Sequence, residues 1–97
     1  MAKSIIQKDT TICYKCESPL NLHWHHCIRG NKRPDAEKYG LKIRLCYNCH
    51  EGRMDSPHQS EITNKFYKQL AQTVFVKKYG YEEYMKIFKV DYFFEDV

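Results

Sequence analysis

Three of the five histidines, His23, His25 and His26, fall within the stretch LHWHHCIRG, beside the only tryptophan, Trp24, and a cysteine, Cys27. Imidazole is the side chain whose unshifted pKa lies near neutrality, so it serves as a proton acceptor or as a neutral metal ligand. Hydrolysis of a phosphodiester asks for both. A base must deprotonate water, and a cation must bind a phosphate oxygen and stabilise the charge that builds on the leaving group. On a strand, consecutive residues point to opposite faces, so one of His25 and His26 can ligate while the other reaches the water from a different direction. The plainer reading of the pair is that it is exposed or packs against Trp24. His23 is either structural or a phosphate contact.

The cysteines supply a second chemistry. Cys13 and Cys16 form C-Y-K-C, and Cys46 and Cys49 form C-Y-N-C. Two residues between thiolates let a tight turn aim both sulfurs at one ion, and two such turns complete the tetrahedral shell that zinc prefers. Twenty-nine residues separate the knuckles, more than in a zinc ribbon, so a sizeable element lies between them. A CxxC can also be a redox pair or two small buried residues. A redox protein would need a reactive thiolate pair outside the metal, and only Cys27 is left over; its bland reading is a small buried apolar side chain.

Elements must carry these residues. From Leu20 the chain alternates, with Leu22 and Trp24 on one face and Asn21, His23 and His25 on the other, as in a half-buried strand. IRGNKRPDAEKYG reads as an exposed, basic loop. Leu41, Ile43 and Leu45 alternate with Lys42 and Arg44 in a second strand that delivers Cys46, and CYNCHEG is a short helix or turn carrying His50. Together they make a ββα unit closed at its open end by zinc. Farther on, Ile62, Phe66, Leu70 and Val74 recur every four residues, with Ala71 and Phe75 widening the stripe, in an amphipathic helix from Ser56 to Lys78 that Gly80 ends. A second helix places Tyr81, Tyr84, Met85 and Phe88 on one face, an aromatic stripe expected to cover the sheet and zinc unit.

With 97 residues the chain holds one small domain that buries too little surface to do without a staple. An odd cysteine count and the lack of a signal peptide or apolar run of spanning length point to a reducing cytosol and away from membranes. The net charge of +4 is uneven: residues 1 to 79 hold fourteen Lys/Arg against seven Asp/Glu, and residues 80 to 97 hold two against five. The basic part is where a polyanion would bind, whereas the acidic, aromatic tail reads as packing, a shield or a partner site.

The order CxxC, LxxHH, basic loop, strand, LCxxCH and a downstream histidine resembles the zinc-containing branch of the HNH endonucleases, in particular their small phage-encoded members. The likeness covers roughly residues 13 to 58, and the helical segment beyond, with its YG and YMKIF, resembles the tails of those proteins. It implies an α+β fold in which a small zinc-stapled ββα-metal unit, residues 13–58, is followed by two C-terminal helices, residues 59–97, all within one domain. It further implies that His25 and His50 ligate a catalytic divalent metal (Mg2+, Mn2+, Ni2+ or Zn2+), that His26 is the general base, and that the work is done in the cytoplasm of a phage-infected bacterium.

Two features depart from that pattern. The asparagine that opens the family's second strand is absent, its place being taken by Gly40 and Leu41, while Asn31 and Asn48 lie elsewhere. His58 follows His50 by eight residues, about 12 Å along a continuous helix and too far to share a metal with bonds of about 2 Å. The chain must break between them, and Gly52 followed by Ser56 as N-cap, Pro57 at the first helical position and Gln59 in a capping box supplies the means. His58 then rides the first helical turn, either folded back as a third ligand or exposed.

Arg29, Lys32, Arg33, Lys42 and Arg44 surround the histidines and could hold the backbone of a duplex. Two functions follow: a metal-dependent HNH-type nuclease cutting DNA with little sequence specificity, or an inactive zinc-stabilised accessory module that binds DNA or inhibits a host protein. The imidazole cluster favours the first, and the missing asparagine the second.

Overall fold

The computed structural model describes residues 2–94. Strand β1 (Leu22–His26) leads through a 3-10 turn (Gly30–Lys32) into helix α1 (Arg33–Lys38) and strand β2 (Lys42–Cys46). A five-residue π-helical turn (Asn48–Gly52) and two helices, α2 (Glu61–Tyr79) and α3 (Tyr81–Phe88), complete the order. The α+β class holds: an antiparallel strand pair and a short helix beside a four-cysteine group, followed by two C-terminal helices.

The strands pair with Leu22 opposite Cys46, His23 opposite Leu45, Trp24 opposite Arg44, His25 opposite Ile43 and His26 opposite Lys42. Paired residues share a face. His23 and His25 therefore lie with Leu45 and Ile43 on the face that packs inward, where the His25 ring meets Tyr67 of α2 at 5.6 Å between centroids. Trp24 and His26 lie on the opposite face with Arg44 and Lys42, whose cationic groups stand 4.3 and 4.6 Å from the indole centroid. The partition of side chains between faces is the one the alternation gives, but the buried face is the histidine face.

The outer edge of β2 is covered by the N-terminal segment. Ser4 Oγ donates to the Lys42 carbonyl, Ile5 N donates to the Gly40 carbonyl, and the amides of Arg44 and Tyr14 bond to Gln7 Oε1 and the Arg44 carbonyl. Gly40 has φ +73°, and a Cβ there would collide with the carbonyl oxygen of Lys3. Position 40 is thus reserved for glycine by backbone approach.

Three expectations need correction. The segment after Cys27 is no exposed loop: Ile28 and Ala36 are buried, and Pro34, read as punctuation, sits in the first turn of α1, where its missing N–H costs nothing. Helix α2 begins at Glu61 because Ser60, not Ser56, accepts from Thr63 N; the buried Ser56 hydroxyl instead donates back to the Arg53 carbonyl at 2.6 Å. Of the stripe expected along α2, Ala71 and Phe75 are buried and Leu70 and Val74 half-buried, but Ile62 is 85% and Phe66 58% exposed, and Tyr67 takes the buried place beside them.

Tyr84 and Phe88 of α3 close on Phe75, with ring centroids at 5.8 and 5.5 Å, so the aromatic stripe packs against α2. In the acidic tail, Gln72 donates to Asp91 and accepts from Tyr92 N, and Tyr92 is buried; the last three residues of that tail lie outside the described residues. Among the described residues no helix is long and apolar enough to cross a membrane.

Candidate metal centres

Two clusters of ligating side chains stand on this frame. The first joins the two knuckles. Cys13 sits in a turn whose ends are tied by Cys13 N to the Ser18 carbonyl and Glu17 N to the Cys13 carbonyl, with Tyr14 N fastened to Arg44 of β2. Cys46 ends β2 and Cys49 rides the π-helical turn. One sulfur from each of the four lies within 4.8 Å of the others, and Cys16 and Cys46 are 3.6 Å apart. Tetrahedral bonds of about 2.3 Å set sulfurs about 3.8 Å apart, which matches.

The electrostatics of the sulfurs ask for a cation. Burial opposes ionisation of Cys13, yet backbone donors from Cys16, Cys46 and Lys15 overcome it and bring the thiol to about 6. Burial, and then the neighbouring sulfurs of Cys46, Cys16 and Cys13, push the Cys49 thiol up. Four sulfurs in this space can all be thiolates only around a positive ion. All five cysteines, each among the described residues, are free of disulfides, and the group is consistent with structural Zn2+. Cys27 stands apart, wholly buried in the core, its thiol pushed up by that burial.

The second cluster is His25, His50 and His58, from β1, the π-helical turn and the turn before α2. One ring nitrogen of each lies within 4.8 Å of the others, and the Nε2 atoms of His50 and His58 are 3.0 Å apart. The break between His50 and His58 is real but comes from an irregular turn through Ser56–Gln59, not from a new helix. The widened turn Asn48–Gly52 brings His50 inward, where it is buried.

Burial, followed by the repulsion of His50, Arg29 and His58, lowers the His25 pKa to about 3. Burial and His58 lower that of His50 to about 4, and His58 is lowered by burial and Arg29. All three are neutral near pH 7, with lone pairs available. His25 Nε2 is buried and has no hydrogen-bond partner among the described residues, the kind of orphan that a cation satisfies. The donor set therefore fits a divalent metal. A fourth imidazole backs it: His23 Nδ1 lies 3.3 Å from His50 Nδ1 and can fix which His50 nitrogen is left to ligate.

His26 lies outside this group. Its Nε2 is 2.9 Å from Glu37 Oε1, and Arg33 Nε donates to its Nδ1 at 3.3 Å. A cavity of about 380 Å³ is lined by His25, His50 and His58 together with His26, Arg29, Arg33 and Trp24. One Arg29 nitrogen stands 3.3 and 3.4 Å from the two ring nitrogens of His58.

Of the cations expected at the site, Arg29 and Arg33 are exposed and line the cavity. Lys32 is half-buried and does not line it, while Arg44 is stacked on Trp24 beside a separate cavity with Lys3 and Lys8. Lys42 is corrected: at 1% exposure its ammonium is bound to Glu37 at 2.6 Å and is not offered to a phosphate. Alternation along β2 put Lys42 on the polar face, but α1 covers that face. Sequence reasoning missed Glu37 for the same reason, since P-D-A-E-K read as a loop conceals a helix that turns its glutamate to the strands. The carboxylate is held down to about 2, by the Lys42 hydrogen bond first and the His26 contact second.

Compared with models of protein families, with curated proteins and with solved structures, the chain finds no match in any of the three. What the fold and its clusters define is a small α+β protein with a zinc-like four-cysteine group and a histidine group that could hold a metal.

Proposed function

We propose that the protein is a metal-dependent endonuclease of HNH type that hydrolyses DNA phosphodiesters with little sequence specificity. The observation that carries the reading is the company His26 keeps. An imidazole outside the His25, His50 and His58 group shares one cavity with it and with two exposed arginines. Such a division of histidines serves hydrolysis, in which one group holds a cation and another moves a proton.

A divalent cation bound by His25, His50 and His58 would supply charge to a phosphate oxygen and to the leaving oxygen. The chain's own residues do the rest. Arg29 and Arg33 bind and orient the phosphate, Arg33 leaving His26 Nδ1 as it does so. The freed Nδ1 accepts a proton from water, and the burial of His25 and His50 keeps their imidazoles neutral. The four cysteines would hold zinc between the N-terminal knuckle and the end of β2, and so fix the π-helical turn that carries His50. Since the arginines meet backbone phosphate and not base edges, specificity for sequence is low.

A second reading, a zinc-stabilised module that binds DNA or a host protein without cutting, is favoured by one observation: Gly40 and Leu41 stand where the HNH asparagine would open β2. Conversion of supercoiled plasmid to nicked circles, with and without Mg2+, Mn2+ or Ni2+, decides between them. Binding without nicking under every metal selects the module.

A further inference from the structure

The nuclease reading leaves unexplained what orients its base once the strand asparagine is gone. We propose that Glu37, itself locked by the buried Lys42, is the positioning residue that fixes the His26 imidazole as its Nε2–H tautomer and leaves Nδ1 as the basic nitrogen. The inference rests on the nuclease reading for the use of that nitrogen, but its geometry stands alone.

Three contacts form a chain across three elements, β2, α1 and β1. Lys42 Nζ, on β2, donates to Glu37 Oε2 at 2.6 Å, and Glu37 Oε1, on α1, lies 2.9 Å from His26 Nε2. The two oxygens of one carboxylate are thus divided between a lysine and a histidine. At Nδ1 the donor is Arg33 Nε, which carries a hydrogen in every state of arginine. A nitrogen that accepts from Arg33 has no hydrogen of its own, so the single hydrogen of the neutral ring is on Nε2 and is donated to Glu37.

Rigidity comes from burial. Lys42 is 1% exposed and held from the other side by the face of Trp24, 4.6 Å from its ammonium. Taking so buried a cation away from its carboxylate is costly, so Glu37 has little freedom to swing. The Gly40 turn and the bond from Leu41 N to the Ala36 carbonyl hold α1 against the start of β2, which sets Glu37 beside Lys42. A carboxylate behind an imidazole in this way sets its tautomer and orientation and stabilises the imidazolium that forms when it takes a proton.

The test joins a spectroscopic and a kinetic readout on the zinc-bound protein. Removing Glu37 alone strands the Lys42 charge and risks unfolding, so the variant is Glu37→Ala with Lys42→Met, checked by circular dichroism and zinc content. Glu37→Asp is the conservative partner. Because Arg33 donating to Nδ1 also favours the Nε2–H form, the tautomer is read in an Arg33→Ala background: two-bond 1H–15N correlation of the histidine rings should show His26 with Nε2 protonated and Nδ1 bare while Glu37 and Lys42 are present, and a mixture of the two tautomers once both are replaced. With Arg33 in place, cleavage by the double variant should fall about 10- to 100-fold in kcat with KM for plasmid unchanged, the range usual for an outer partner of a working imidazole. Glu37→Asp should recover part of it.

A His26 already protonated on Nδ1 while Glu37 and Lys42 are present, or a tautomer and a kcat that both stay the same once they are replaced, overturns the proposal. If wild type cuts no DNA with any metal, yet its tautomer depends on Glu37, the nuclease reading falls and the positioning role remains.

Discussion

His50 and His58 stand eight positions apart in the chain, and their Nε2 atoms meet at 3.0 Å. With one ring nitrogen of His25 within 4.8 Å, these two neutral imidazoles offer three convergent ligands to a divalent cation. His50→Ala should therefore abolish binding of Mn2+ or Ni2+ at this site, and His58→Ala should weaken it, with the zinc content unchanged at one per chain. Titration calorimetry on zinc-loaded protein measures both. Equal affinity in wild type and His50→Ala would remove the site.

Acid should act on the same histidines. Their folded pKa values, about 3 for His25 and about 4 for His50, lie below the ordinary value near 6.5, so the unfolded chain binds more protons in between. Stability contributed by the neutral rings is complete above pH 6.5 and is lost as pH falls from there toward 3. Thermal unfolding followed between pH 7.5 and 5, with zinc content monitored at each step, should show a falling midpoint, and His25→Asn should flatten the slope. A slope that His25→Asn leaves unchanged would assign the acid sensitivity to other groups.

The four-cysteine group makes a prediction about folding. A preformed tetrahedral site ties metal affinity to the folded state. Wild type should carry one zinc per chain, and Cys46→Ser should lose it together with the cooperative unfolding transition. Circular dichroism and metal analysis on the same sample read both. Cys27→Ala, at a core position away from the sulfurs, should retain zinc while losing some stability through the small cavity it leaves.

The corrected face of α2 is open to a direct check. Phe75 is wholly buried among Tyr39, Tyr84 and Phe88, so Phe75→Ala should cost about 3–5 kcal/mol. Ile62 is 85% exposed, and Ile62→Ser should change stability by no more than about 0.5 kcal/mol. Denaturant unfolding with a common slope distinguishes this register from one in which Ile62 faces the core.

How far the sequence could be read follows from the range of each signal. The knuckles were legible because two residues between cysteines dictate a local turn, and β1 and β2 because alternation has a period of two. Helix α1 was not, because Pro34 and the Asn and Gly before it are equally at home in a loop. Along α2 the places of Ala71 and Phe75 were legible, but Ile62 and Phe66 were not, because tyrosine and glutamine, at positions 67 and 72, serve as core where those two look the better candidates. His50 and His58 converge through a turn whose path depends on the buried Ser56, a tertiary fact with no local signature. Glu37 escaped notice for want of α1, and with it the partner of His26.

Cleavage should depend on His26. Supercoiled plasmid incubated with zinc-loaded protein and Mn2+ or Mg2+ should be nicked by wild type. His26→Ala should bind DNA with the affinity and salt dependence of wild type, hold both metals, and cut at least about 100-fold more slowly, the lower end of what a positioned base supplies. Arg33→Ala, in contrast, should weaken binding. Cleavage by His26→Ala at the wild-type rate, with wild-type metal content, would contradict the assignment of His26 as the base and with it the central claim.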